Sequence, residues 1–253
     1  MARTRKPTPL EAFNSNIGDA EALVTYARAF RNRRKNRMPK KLQERVGDAF
    51  KVPAKKWAGL DCLQNDHLVV VFMPNGGMGR HQFDDRRPLL RQAVVAACAA
   101  LETYVADKAM RFVGKALRAD QLTPRLREIT LTLGHWDDIK KKGLKRPVWA
   151  IRPVVEEAIR ETSSTAPSSI GKVLAIVGVQ GWSKKVDGAR TVEYGTTERE
   201  LERLADRRNR IAHSADRTGQ RRATIDLAEV ESYITLTKSV VGALEAVLKA
   251  HKI

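Results

Sequence analysis

"DLAEVESYITLTKSVVGALEAVLKAHK", residues 226–252, decides the fold class. Leu227, Val230, Ile234, Thr237, Val241, Leu244 and Leu248 recur at spacings of three and four, the repeat of a helix that buries one seam against other helices. Upstream, "PLLRQAVVAACAALETYVADKAMRFVGKAL" (88–117) repeats the pattern with Leu90, Val94, Ala97, Leu101 and Tyr104. Pro88 suits a first helical turn, and Ala96, Ala97, Ala99 and Ala100 allow another helix to come close. This stretch is expected to be the long central helix. "TPRLREITLTL" and "RPVVEEAIRETSS" read as shorter helices around the basic loop "KKKGLKRP", and "PSSIGKVLAIVGV" as a further helix opening at Ser168 or Ser169. Gly171-Lys172 does not complete a phosphate-binding loop, because G-x-x-x-x-G-K-[ST] is absent. "TTERELERLADRRNRIAH" opens with Thr197 and Glu200 three apart, the spacing of a capping box. Leu201, Leu204, Arg208 and Ile211 then share a stripe.

The N-terminal third differs. "DAEALVTYARAF" predicts a helix with Asp19 as N-cap and Leu23, Val24, Ala27 and Phe30 on its apolar side. Between Arg28 and Arg45 there are nine basic residues and one acid, Glu44. That density fits either a solvated helix end and linker or a surface for nucleic-acid phosphates. "HLVVVFM" (67–73), followed by "PNGGMG" and "RHQF", is the strongest strand or hairpin signal in the chain. It reads as an elaboration beside a helical body.

Composition narrows the function. The 253 residues carry 47 Lys and Arg against 29 Asp and Glu, a formal charge of +18, which points to a polyanionic partner. Two cysteines, Cys62 and Cys98, build no disulfide framework, and no metal-ligand motif accompanies the five histidines. No metal and no cofactor is expected. The opening "MARTRKPTPL" lacks the apolar run of a signal peptide, and no stretch of about 18 consecutive apolar residues suggests a membrane span. The expectation is a reduced, cytoplasmic protein without a membrane partner.

Against that background "ADRRNRIAHSAD" (205–216) stands out. An arginine five residues before a histidine is common; about 0.5 such pairs arise by chance here, but only about 0.015 with asparagine directly after the arginine. The residue types suit phosphodiester chemistry. Arg208 can donate a bidentate fork to phosphate oxygens and offset charge developing on a pentacovalent species. His213 can take a proton from a 2′-hydroxyl or give one to a departing 5′-oxygen. Asn209 lies four residues from His213, on the same helical face, and can orient the imidazole or touch phosphate. Arg208 and His213, however, are about 140° apart around an ideal helix. One motif converges poorly on one phosphate unless the helix is distorted, whereas two motifs facing each other across a two-fold axis converge better. The plain structural alternative has Arg208 partly buried against a carboxylate and His213 capping the helix C-terminus.

"RRNRIAH" resembles the R-[polar]-x-x-x-H signature of HEPN ribonucleases, and the RiboL-PSP-HEPN branch in particular. The likeness is carried by "RN-x-I-A-H", by the preceding helix "LLRQAVVAACAALETYVADK" and by a helical N-terminal extension; it is best over 88–118 and 198–248. The resemblance implies a four- to five-helix bundle; together with the residue patterns above, the expectation is a mainly α protein, with a HEPN-like helical bundle over 84–253 and a basic helical extension over 1–83 that carries the small β-hairpin. The resemblance implies a homodimer whose two motifs line one cleft. It further implies metal-independent endonucleolytic cleavage of RNA to 2′,3′-cyclic phosphate and 5′-hydroxyl ends, in a toxin or antiviral defence effector restrained by an antitoxin or regulatory protein. Arg208, Asn209 and His213 take the family's catalytic positions, with Glu102 on the long helix as a supporting acid able to pair with Arg208. Arg31, Arg33, Arg34, Lys35, Arg37, Arg207, Arg210 and Arg217 are the candidate RNA-binding residues. The alternative function is a non-enzymatic nucleic-acid-binding HEPN-like module, which the charge alone would support.

Overall fold

A computed structural model describes residues 5–31, 38–64, 69–72, 85–142 and 147–250. Ten α-helices dominate these residues. The first, α1 (Pro9–Arg31), starts ten residues earlier than Asp19. A reciprocal cap sets its origin: Glu11 N donates to Thr8 Oγ1 (3.1 Å), and Thr8 N donates to Glu11 Oε2 (2.6 Å). Asp19 therefore sits in mid-helix.

The long central helix is α3 (Arg87–Ala116), with Pro88 in its first turn. Ala93, Ala97 and Ala100 of α3 and Ala20 and Ala27 of α1 are fully buried, so the two backbones approach closely along their lengths. Phe13 meets Tyr104 edge-on, with ring centroids 5.8 Å apart. Phe13, Ile17 and Val24 thus belong to the same core as α3. The boundary expected at 83/84 does not separate α1 from the bundle: the apolar side of α3 needs a cover, and α1 supplies it. α3 has the length and apolarity of a bilayer span, but most of its apolar surface is used in this core.

The end of the chain forms α10 (Leu227–Ala250). All seven predicted seam residues are buried, from Leu227 to Leu248. α10 packs on α1, α3 and α8 (Trp182–Arg190). Between α3 and α8 lie α4 (Pro124–Arg127), α5 (Leu133–Lys142), α6 (Pro147–Thr162) and α7 (Pro167–Ile176). Helix α7 begins at Pro167 with Ala166 as N-cap, one or two residues before the serines expected to open it. The fold is mainly α, a helical bundle built around α3.

A smaller unit precedes α3. Helix α2 (Lys40–Ala49) packs on a short 3-10 helix (Ala54–Gly59) through Met38, Leu42, Val46, Trp57 and Leu60. The apolar run does form a strand, β2 (Val69–Phe72). Its antiparallel partner is upstream, β1 (Asp61–Gln64), with Asp61 opposite Phe72 and Gln64 opposite Val69. The "PNGGMG" turn and "RHQF" lie outside the described residues.

Candidate active site

Helix α9 (Thr196–Ser214) carries the motif and is held at both ends by buried charge. At its start Gly195 is the N-cap, with φ of 81°. Thr197 and Glu200 do not close a capping box. Asp187 of α8 accepts from Gly195 N (2.7 Å) and Thr197 N (2.9 Å), capping the helix from a neighbouring element. Arg190 then bridges Thr197 Oγ1 (2.7 Å) and Glu200 Oε2 (2.8 Å). Burial pushes the Asp187 carboxyl up, but these hydrogen bonds and the nearby Arg190 outweigh it and hold it below the usual carboxylate range.

At the other end the chain leaves α9 through Ala215 and Asp216, both left-handed (φ 50° and 60°). Asp216 N donates to Arg210 O, and so does the Ser214 hydroxyl. These groups, rather than His213, cap the helix. The Asp216 side chain is fully buried between two arginines: Arg91 Nε of α3 at 2.8 Å and Arg207 Nη1 at 3.0 Å. Arg207 Nε also lies 3.2 Å from Glu229. The two Arg207 contacts have ion-pair distances without hydrogen-bond angles, so Arg207 Nε and Asp216 Oδ1 are held by charge alone. Arg207, expected to bind RNA, is therefore a buried structural cation and is not open to phosphate.

Its neighbour Arg208 is half-buried, and no carboxylate among the described residues lies within 4.0 Å of its guanidinium. Arg208 Nη1 instead donates to Asn209 Oδ1 at 3.2 Å. The charge of Arg208 is felt at the buried Cys98 thiol of α3. Burial pushes that thiol up to about 12; a hydrogen bond with Thr165 lowers it, Glu102 raises it and Arg208 lowers it. Glu102 of α3 does not pair with Arg208. Glu102 Oε1 accepts from Thr165 N (3.0 Å) and Thr165 Oγ1 (2.8 Å), fixing the turn between α6 and α7.

Asn209, Arg210 and His213 are exposed. α9 remains helical through Ser214, so the helix phase still separates Arg208 from His213 by about 140°. Arg217 is exposed just beyond. Arg33, Arg34, Lys35 and Arg37 lie outside the described residues, as does the side chain of Arg31. A cavity of about 650 Å³ lies between the α4–α5 connection, α6 and α7, and none of the motif residues lines it.

Among the participants that escaped the sequence reading are Arg91, Asp216 and a hairpin after α9. Arg91 left one usable sign, a lone cation inside the apolar run "PLLRQAVV". The hairpin pairs β3 (Arg217–Thr218) with β4 (Arg221–Arg222) through a two-residue turn.

The RiboL-PSP-HEPN family model matches residues 78–250, and the chain belongs to that family. No curated protein and no solved structure matches it. Membership associates the chain in general terms with the RNA-related, nuclease functions of HEPN domains.

Proposed function

We propose that the protein is a metal-independent endoribonuclease in which Arg208 and Asn209 hold the scissile phosphate and His213 exchanges the proton. The observation that carries this reading is the division of labour between two adjacent arginines. Arg207 is neutralised by Asp216 and Glu229, whereas Arg208 keeps its charge free of any carboxylate among the described residues. A buried charge set that anchors one arginine leaves the next one available for an anion. The exposed imidazole one turn further on has access to solvent and substrate. The 2′-hydroxyl attacks phosphorus, its proton passes to a base, and the 5′-oxygen leaves with a proton, giving a 2′,3′-cyclic phosphate and a 5′-hydroxyl.

The helix phase favours a site shared by two protomers, with Arg208 of one chain and His213 of its partner on one phosphate. Such an enzyme suits a toxin or antiviral effector held in check by a protein inhibitor. The test is cleavage of single-stranded RNA in EDTA, with the products' ends identified. A single 2′-deoxy substitution at the cut site should block that cut. Equal cleavage of DNA, or a strict Mg²⁺ requirement, contradicts the mechanism. Light scattering at micromolar concentration should give a dimer; a fully active monomer contradicts the shared site. The non-enzymatic binding module would bind RNA and leave it intact.

A further inference from the structure

We infer that the β3–β4 hairpin is a phosphate-gripping arm for single-stranded RNA, with Arg217 and Arg222 as its contact pair. The inference rests on the RNA reading above and adds a second anchoring point for the strand.

The hairpin is electrostatically awkward on its own. Its register puts Arg217 directly opposite Arg222, and Arg221 opposite Thr218. Directly opposed residues project from the same face of a ribbon, and like charges there repel. All three arginines are exposed, and none pairs with a carboxylate among the described residues. The strands contribute two residues each, too few for a free hairpin to persist in water. Gly219 supplies the positive φ (67°) that the turn needs.

What holds the hairpin is the buried charge cluster beneath it. Ala223 N donates to Asp216 O at 2.7 Å. Arg91 Nη2 donates to Ala223 O at 2.8 Å, and Arg207 Nη2 donates to Thr224 O. One fully buried aspartate and two buried arginines thus tie down both ends of a ribbon whose own side chains push it apart. Water and salt screen the exposed pair, and a polyanion laid across it would remove the remaining repulsion. The pair begins four residues after His213, at the end of α9 that carries the motif, so the strand being cut is the polyanion at hand. Two forks side by side suit consecutive backbone phosphates and need no base contact. Asp216 acts as a positioning residue that holds this pair in fixed relation to His213.

The experiment titrates a fluorescent single-stranded 2′-O-methyl RNA, which lacks the attacking hydroxyl, with the full chain over a range of salt. Arg217→Gln/Arg222→Gln should reduce the salt slope by about 1.4 and weaken binding about 10- to 15-fold near 0.15 M salt, since each single-strand phosphate contact contributes about 0.7 to the slope. Its melting temperature should be unchanged or higher, because the opposed charges are gone; a merely structural pair would lower it. On cleavable RNA, KM should rise while kcat stays within about two-fold. Lys184→Gln/Lys185→Gln, on exposed lysines of α8, removes the same charge elsewhere and should leave binding nearly intact. Wild-type affinity in the hairpin variant, or an equal loss in the lysine variant, overturns the inference. A wild-type chain that binds RNA without cutting it defeats the cleavage mechanism and leaves the hairpin to be judged by binding. A wild-type chain that does not bind RNA defeats both.

Discussion

Replacing Asp216 with asparagine isolates the charge of the buried cluster. Asn has nearly the same size and, like Asp, tolerates the left-handed backbone found there, so neither cavity nor φ strain is added. The loss is the one anion that Arg91 and Arg207 share, at 2.8 and 3.0 Å and with no solvent access. Arg207 keeps Glu229 at 3.2 Å, whereas Arg91 keeps a single carbonyl. Breaking a buried pair from one side costs about 3–5 kcal/mol. Because Arg207 retains a partner, the lower end, about 3 kcal/mol, is expected. For a chain of this length that lowers Tm by roughly 6–12 °C. Scanning calorimetry would read it, and far-UV circular dichroism would show whether the helices persist. Arg91→Met added to Asp216→Asn should recover part of the loss, because the stranded cation is then gone. An Asp216→Asn protein melting within about 2 °C of wild type would refute the reasoning, since a fully desolvated partner cannot be that cheap to lose.

His213→Ala should bind RNA within a few-fold of wild type and cleave it about 10²-fold more slowly, the scale of a lost general acid or base, read in single-turnover assays. Replacing Arg31, Arg33, Arg34, Lys35 and Arg37 with glutamine should do the reverse: weaker binding and a flatter salt dependence, with turnover at saturating RNA nearly constant. Asp187 gives a pH prediction. Its folded pKa lies below the unfolded value, so its stabilisation is complete above the unfolded value and is lost as pH falls through the folded one. Asp187→Asn should therefore lower Tm at neutral pH, and the gap should close as the wild type is acidified below about pH 4.

The seam of α10 was legible because helical spacing records burial directly. Its residues needed no knowledge of what covers them. The start of α1 was harder to read. Asn14, Ser15, Asn16 and Gly18 are weak helix formers, and they drew attention away from the Thr8–Glu11 cap. Packing of Phe13 and Ile17 against α3 overrides that local preference. At the site, the motif and its exposed residues were visible, but the roles of two adjacent arginines were not. Leu204 is followed at three by Arg207 and at four by Arg208, and both spacings fit the buried stripe. The choice between them is made by Asp216 and by Glu229 of α10. Asp216 in turn looks like an ordinary turn aspartate, because Arg91 is 125 positions away and nothing local announces it.

A ribosome makes α1 well before the helix that covers it. About 85 residues separate the end of α1 from the end of α3. At bacterial to eukaryotic elongation rates, that is about 4–17 s during which Phe13, Ile17 and Val24 have no partner. A lone helix of this length with several poor helix formers is marginal in water, so α1 is expected to remain fluid until α3 emerges. The motif helix is completed later still. The lock at its end draws on Arg91 from α3 and Glu229 from the start of α10, so a nascent chain that has not reached Glu229 lacks part of it. The site therefore takes its final shape only after nearly the whole bundle has been made.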